Sequence, residues 1–95
     1  DATYMGHLDC GNFLSACDKS LADINCQFQE GWAMGFITGM NQANSSMDRK
    51  SKVGKGLSKF QLKYALIKYC RDNPLDSTAD AIINIYLKLY DKTPE

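Results

Sequence analysis

Four cysteines, Cys10, Cys17, Cys26 and Cys70, are the side chains with the widest chemistry, since cysteine can form disulfides, bind metals or act as a nucleophile. An even number in a short chain is typical of a disulfide framework, and four buried thiols in a cytosolic protein are the alternative. Zinc is not expected, because no Cys-x-x-Cys or His-x-x-x-His pair is present to chelate it. His7 lies three residues before Cys10, a poor arrangement for an active site near a chain end. We therefore predict disulfides and no catalytic residues, metal or cofactor.

The remaining polar residues also lack a catalytic pattern. No nucleophile elbow, metal-binding helix or phosphate loop occurs. Asp72, Asp76 and Asp80 are better explained by helix capping and helix-end electrostatics than by paired-carboxylate catalysis. A basic run is the most unusual feature of the predicted surface, and it consists of Arg49, Lys50, Lys52, Lys55 and Lys59. The run could contact phosphate or an acidic protein face, but we favour a solvated loop because no aromatic residues are interleaved.

Length and composition describe one small folded domain that covers residues 1–95. Hydrophobic residues make up 44% of the chain, which argues against disorder. The net charge is zero, with −5 on residues 1–48 and +5 on residues 49–95, so nucleic acid is not the expected partner. The longest apolar stretch, Trp32–Met40, is too short to span a bilayer, and no membrane insertion is expected. The start at Asp1 fits a secreted protein whose signal peptide has been removed.

Apolar residues recur at helical spacing through the first half of the chain. The first stripe predicts a helix over about 8–21 and contains Cys10, Phe13, Leu14, Cys17 and Leu21. The second predicted helix, about 26–44, carries two stripes at four-residue spacing. The bulky stripe is Phe28, Trp32, Phe36 and Met40, and the small stripe is Gly31, Gly35, Gly39 and Ala43. Helical glycines cost about 1 kcal/mol each against alanine, so we expect another helix to pack closely against the small stripe.

Capping signals mark the two later helices. Ser58 and Gln61 form a capping box at the start of the third helix, and Asn73-Pro74 ends it. The fourth helix begins at Asp76 or Ser77, with a second capping arrangement. With no strand signal, the sequence predicts an all-α fold: a compact bundle of four main helices, stabilised by disulfides.

The pairing of the four cysteines can be argued from helix geometry. Cys10 and Cys17 are seven residues apart on one helix, roughly 10 Å, whereas bridged Cα atoms lie within about 7 Å. If the first two helices form an antiparallel hairpin, Cys17 and Cys26 flank its turn, while Cys10 lies at its open end. The predicted bridges are therefore Cys17–Cys26 and Cys10–Cys70, and the second would tie the hairpin to the third helix.

Two segments carry a resemblance to a known family. A helical cysteine, Cys17, precedes an aromatic-rich, glycine-spaced helix in Cys26–Gln42 (CQFQEGWAMGFITGMNQ). A later helix ends in Asn-Pro before a final amphipathic helix in Phe60–Leu89 (FQLKYALIKYCRDNPLDSTADAIINIYLKL). With these features most of the chain resembles the Rap/Tai-type immunity proteins of type VI secretion systems. Members commonly carry further cysteines around the third and final helices, whereas here none follows Cys70.

The resemblance implies a periplasmic, all-helical, homodimeric protein that binds an injected peptidoglycan amidase, the cognate cell-wall effector, and occludes its active site. Gly31, Gly35 and Gly39 are the candidate dimer-packing residues. The inhibitory surface would be a loop that projects from the helical body, and two loops qualify, at Ser45–Gly56 and Arg71–Ser77. We favour the second because Pro74 stiffens it and a rigid loop loses little entropy on binding. The candidate effector-binding residues are Asp72, Asn73, Leu75 and Asp76 in that loop, and Ser46, Asp48, Arg49 and Lys50 in the first.

Three other functions remain open at this stage. A periplasmic acid-stress chaperone of similar size would expose apolar surface at low pH and bind many clients. A small enzyme would use Cys10 and His7, and a secreted helical interaction domain would bind some other protein.

Overall fold

The computed structural model describes residues 7–20 and 22–94, which form four α-helices. They are α1 (Cys10–Lys19), α2 (Ile24–Ser46), α3 (Lys59–Asp72) and α4 (Thr78–Lys92). Within these residues there is no β-strand beyond one isolated bridge between Asp9 and Ser77, which confirms the predicted all-α fold. The predicted first helix was longer at both ends, and its last residue, Leu21, lies outside the described residues. No helix in the described part of the chain has both the length and the apolar character needed to cross a bilayer.

Side-chain caps fix where the helices begin. The carboxylates of Asp9 and Asp23 accept hydrogen bonds from backbone N–H groups in the first turns of α1 and α2. Both serine caps predicted for the later helices are present as full capping boxes: Ser58 with Gln61 on α3, and Ser77 with Asp80 on α4.

The core lies among the four helices, each of which contributes buried apolar residues. Phe13 from α1, Leu66 from α3 and Ile82 from α4 are fully buried at its centre. Polar pairs also cross this core: the hydroxyl of Thr78 donates to the side-chain oxygen of Gln29 at 2.8 Å, at the start of α4. Because these groups find partners inside the protein, their burial costs little.

Both predicted disulfides are confirmed. Cys10 and Cys70 form the long bridge, which spans 60 residues and joins the start of α1 to the last turn of α3. Cys17 and Cys26 form the short bridge, which spans 9 residues across the α1–α2 turn. The bridged Cα atoms are 5.0 and 5.1 Å apart, as the hairpin argument requires.

The expected packing of a helix against the small stripe of α2 is wrong within this chain. Gly31, Gly35 and Gly39 are exposed, and a Cβ atom added to any of them would meet no atom within 4 Å. Ala33 and Ile37 are buried instead. Successive helical residues are about 100° apart, so the face that carries these two residues points away from the glycines.

Candidate protein-binding surfaces

The loop between α3 and α4, residues 73–77, is held in one shape by its own hydrogen bonds. The N–H of Asn73 donates to the carbonyl of Tyr69 at 2.8 Å, and its side-chain amide donates to the same carbonyl at 3.0 Å. The N–H of Asp76 donates to the carbonyl of Asn73 at 3.1 Å, closing the turn. We call residues 73–77 the Leu75 loop.

The Leu75 loop is also tied to the start of α1. The N–H of Cys10 donates to the carbonyl of Asp76 at 2.9 Å, and the N–H of Thr78 donates to the carbonyl of Leu8 at 2.8 Å. Leu8 in turn donates its N–H to the Thr78 hydroxyl at 2.9 Å. Cys10 is also bonded to Cys70 in the last turn of α3, so a disulfide and hydrogen bonds both hold the start of α1 against the loop.

Tyr69 and Asp76 add a side-chain brace beneath the loop. The phenol of Tyr69 donates to a carboxylate oxygen of Asp76 at 2.6 Å. This hydrogen bond, together with burial and the negative charges of Asp76 and Asp80, raises the pKa of Tyr69 to about 12. One carboxylate oxygen of Asp76 therefore helps to hold the loop in place.

Leu75, at the tip of the loop, is 99% exposed. Asp72 and Asn73 beside it are exposed as well. Asp72 lies 3.3 Å from the ammonium of Lys68, in an ion pair that is itself open to water. A leucine held out by a braced backbone, with polar groups on one side, offers apolar surface that a pocket on another protein could bury.

The loop between α2 and α3, residues 47–58, is more structured than the expected solvated segment. The Lys50 ammonium donates to the carbonyl of Tyr90 at 3.1 Å and lies 4.8 Å from the centre of its ring. Val53 is buried, and Asn41 holds its backbone through two hydrogen bonds, of 2.9 and 3.0 Å. Ser46 (the last residue of α2), Asp48 and Arg49 are exposed.

The two loops do not form one surface. Asp76 precedes the first residue of α4, whereas Lys50 contacts Tyr90 near its last turn. The 15 residues of α4 span about 22 Å at 1.5 Å per residue. The two candidate groups of effector-binding residues therefore lie near opposite ends of α4.

A buried ion pair joins α2 to α3, and it was not predicted from the sequence. The Lys63 ammonium lies 2.8 Å from a Glu30 carboxylate oxygen, and the two side chains are only 4% and 11% exposed. The available signal was position: Glu30 is one turn after the buried Cys26, and Lys63 follows the buried Leu62. Single charges are almost never buried unpaired, so each of these charges should have a partner, but the packing of α2 on α3 decides which residues pair.

The Cys10–His7 enzyme hypothesis loses its nucleophile in the oxidised protein. Cys10 is fully buried and bonded to Cys70, so it carries no thiol. Among the described residues, no group of three or more His, Cys, Asp or Glu side chains is placed to hold a metal ion.

Other large apolar side chains are exposed on several faces. On α2 they include Ile24 and Phe28, on α3 Phe60 and Tyr64, and on α4 Leu87. Phe28 was expected in the bulky buried stripe but is 57% exposed, while Trp32, Phe36 and Met40 are partly buried. These exposed side chains belong to three different helices.

Fold and surfaces define a disulfide-bridged four-helix domain. The chain matches no known family model, and no curated protein or solved structure has significant similarity to it.

Proposed function

We propose that this chain is a protein-binding domain of an oxidising compartment, and that it acts there as a stoichiometric inhibitor of a cell-wall amidase. Two intrachain disulfides support the compartment, since such bonds persist in the periplasm and outside cells. The resemblance to Rap/Tai-type immunity proteins supplies the amidase as partner and the periplasm as location. It also leads us to expect a homodimer.

The exposed Leu75 on its braced loop is the observation that carries this proposal. A loop that is already ordered gives up little conformational entropy when it enters a cleft. Leu75 would fill the apolar part of the amidase cleft, and the exposed Asp72 and Asn73 would supply hydrogen bonds at its edge. Asp76 and Tyr69 would position the loop without touching the amidase.

The test uses the oxidised protein and a candidate secreted amidase, with hydrolysis of peptidoglycan measured as the inhibitor is titrated. We expect inhibition to saturate at one inhibitor chain per amidase. Leu75→Asp should weaken it by about tenfold or more, because burying a leucine side chain contributes about 1.5–3 kcal/mol. Ile24→Asp, at an exposed apolar position at the start of α2 and outside the Leu75 loop, is the matched control and should leave inhibition unchanged. Equal inhibition by both variants would remove the Leu75 loop from the interface.

An acid-stress chaperone is the second candidate, and the chemistry of the non-covalent anchors favours it. Carboxylates supply several of these anchors: Glu30 in the buried ion pair, and Asp9 and Asp23 in the caps of α1 and α2. At about pH 2, below the reference carboxyl pKa values of about 3.9 and 4.3 in model peptides, carboxylates are neutralised. The two disulfides do not respond to acid, so the helices would loosen while remaining tethered.

Acid would also charge the whole chain. Full protonation of the 11 acidic residues and the histidine changes the net charge from zero to +12, counted from side chains. Mutual repulsion then favours expansion and exposure of the apolar core to a client protein.

The chaperone candidate is tested by aggregation of acid-sensitive client proteins at about pH 2.5 and at pH 7. A chaperone should suppress aggregation of several unrelated clients at the acidic pH only, and Leu75→Asp should not impair it. Suppression restricted to one amidase, or none at low pH, would leave the inhibitor function in place.

A further inference from the structure

A basic cleft lies where the loop of residues 47–58 meets the end of α4. It has a volume of about 1100 Å³. Its charged lining residues are five bases, Arg49, Lys50, Lys52, Lys55 and Lys92, and one acid, Asp48. The concave shape concentrates these like charges around one volume and makes the cleft attractive to anions.

An apolar groove of about 390 Å³ adjoins the basic cleft. Met34 and Ile37 from α2 and Leu62 from α3 form its apolar walls, together with Val53. The residues common to the cleft and the groove are Lys52, Gly54, Lys55 and Leu57. One ligand that crosses this shared rim can therefore use both regions.

The shape of the shared rim is built into the backbone. Gly54 and Gly56 have positive φ angles of 82° and 84°, which residues with a Cβ rarely adopt. The N–H of Leu57 donates to the carbonyl of Gly54 at 2.9 Å, and Asn41 fixes Val53 from α2. The cleft and the groove are thus held side by side before any ligand arrives.

We propose that the cleft and groove together bind an acidic peptide segment of a partner protein, with carboxylates in the cleft and an apolar side chain in the groove. Lysine ammonium groups on flexible stems suit carboxylates at varied positions. Nucleic acid fits less well, because single strands bind through exposed aromatic rings. The aromatic residue lining the cleft, Tyr90, is partly buried and already faces the Lys50 ammonium.

This surface is separate from the Leu75 loop, about 22 Å away along α4. The inference does not depend on the proposed inhibitor function. The cleft could bind a peptide even if the chain inhibits no amidase. A second binding surface would let one domain hold two segments, or two partners, at once.

The probe is a fluorescein-labelled peptide of about twelve residues, rich in Asp and Glu around one central leucine. Binding is followed by fluorescence anisotropy. The double variant Lys52→Glu/Lys55→Glu reverses two charges on the shared rim. Lys68→Glu/Lys88→Glu, with both lysines exposed and outside the cleft and groove, makes the same change in net charge and is the matched control. Circular dichroism checks that each variant is helical.

We expect the rim variant to weaken peptide binding by about tenfold or more and the control by less than about twofold. Raising NaCl from about 0.05 to about 0.5 M should weaken binding to the native protein strongly, because the charges are exposed to solvent. Similar losses in both double variants would show an effect of net charge alone and would overturn the proposal.

The groove is tested separately with Met34→Ala, and Met47→Ala is the control because Met47 is similarly exposed but lines neither region. We expect Met34→Ala, or replacement of the peptide leucine by serine, to weaken binding by about threefold or more, and Met47→Ala to have no effect. If neither change in the groove matters and inorganic polyphosphate competes fully, the cleft is a general anion surface and the peptide proposal fails. Leu75→Asp should bind the peptide normally, which separates this result from the inhibitor function.

Discussion

Replacing Lys63 with methionine is expected to lower the free energy of unfolding by about 3–5 kcal/mol, because it leaves the Glu30 carboxylate buried without its cation. The two charges are 2.8 Å apart. At an effective dielectric constant of about 20 their attraction is about 6 kcal/mol. Desolvation of the two ions costs several kcal/mol each, so the intact pair contributes little net stability. Removal of one partner loses the attraction and keeps the other ion's desolvation penalty.

The double variant Glu30→Leu/Lys63→Met separates this explanation from simple loss of packing. Both replacements fill a similar volume and carry no charge, so its stability should return to the native value or exceed it by about 1–4 kcal/mol. Lys68→Met is the surface control: its pair with Asp72 is 80% and 62% exposed. Breaking that pair should cost less than about 1 kcal/mol.

Urea unfolding at pH 7, followed by the helical circular dichroism signal with both bridges oxidised, measures all three variants. A loss below about 1 kcal/mol for Lys63→Met would refute the buried pair. A double variant less stable than the single one would also refute the reasoning, since it would place the cost in packing rather than in an uncompensated charge.

Three further predictions concern the bridges, the glycines and the loop brace. Removing the long bridge by paired Cys→Ser changes should lower the free energy of unfolding by about 4.3 kcal/mol, and removing the short bridge by about 2.6 kcal/mol. The difference comes from loop-closure entropy over 60 and 9 residues. A lower urea midpoint for the variant that lacks the short bridge would contradict this entropic account. Gly35→Ala should raise the free energy of unfolding by about 0.5–1 kcal/mol in thermal unfolding, because the added Cβ meets open space, whereas Gly54→Ala should lower it because of the positive φ. If two chains form a dimer through the small stripe, Gly35→Leu should make that dimer dissociate more readily in sedimentation experiments. The raised pKa of Tyr69 means that the folded state holds its phenolic proton more tightly than the unfolded chain. This contribution to stability is complete below about pH 10 and is lost as the pH rises toward about 12. Ultraviolet titration should detect one tyrosine that ionises at this higher pH, and Tyr69→Phe should remove that transition.

Local signals were sufficient for the four helices and for the starts of the last two. The capping boxes at Ser58 and Ser77 were predicted because a cap and its partner lie three residues apart, within one turn. The disulfide pairing could also be predicted from the sequence, because the distance between cysteines on one helix or across a short turn is set by chain geometry. Asp9 and Asp23 were not singled out as caps, although each is a residue type that favours this position.

The sequence did not predict which face of α2 is buried. Two stripes at the same spacing, one bulky and one small, are both consistent with a core face. The structure buries neither completely and places Ala33 and Ile37 in the core. Because α1, α3 and α4 all pack against α2, the choice depends on how the four helices are arranged together.

The sequence by itself determined four helices, their order, the caps of the last two helices and the two bridges. The helices and caps follow from contacts within a few residues, and the long bridge joins the two cysteines that remain once the short turn pairs Cys17 with Cys26. Only the tertiary structure decided that Glu30 meets Lys63 and that Tyr69 braces Asp76 beneath an exposed Leu75. It also separated the two candidate loops by the length of α4 and set the basic cleft beside an apolar groove. The physical reason is that burial and charge pairing depend on the distances between helices, which no local pattern in the sequence specifies.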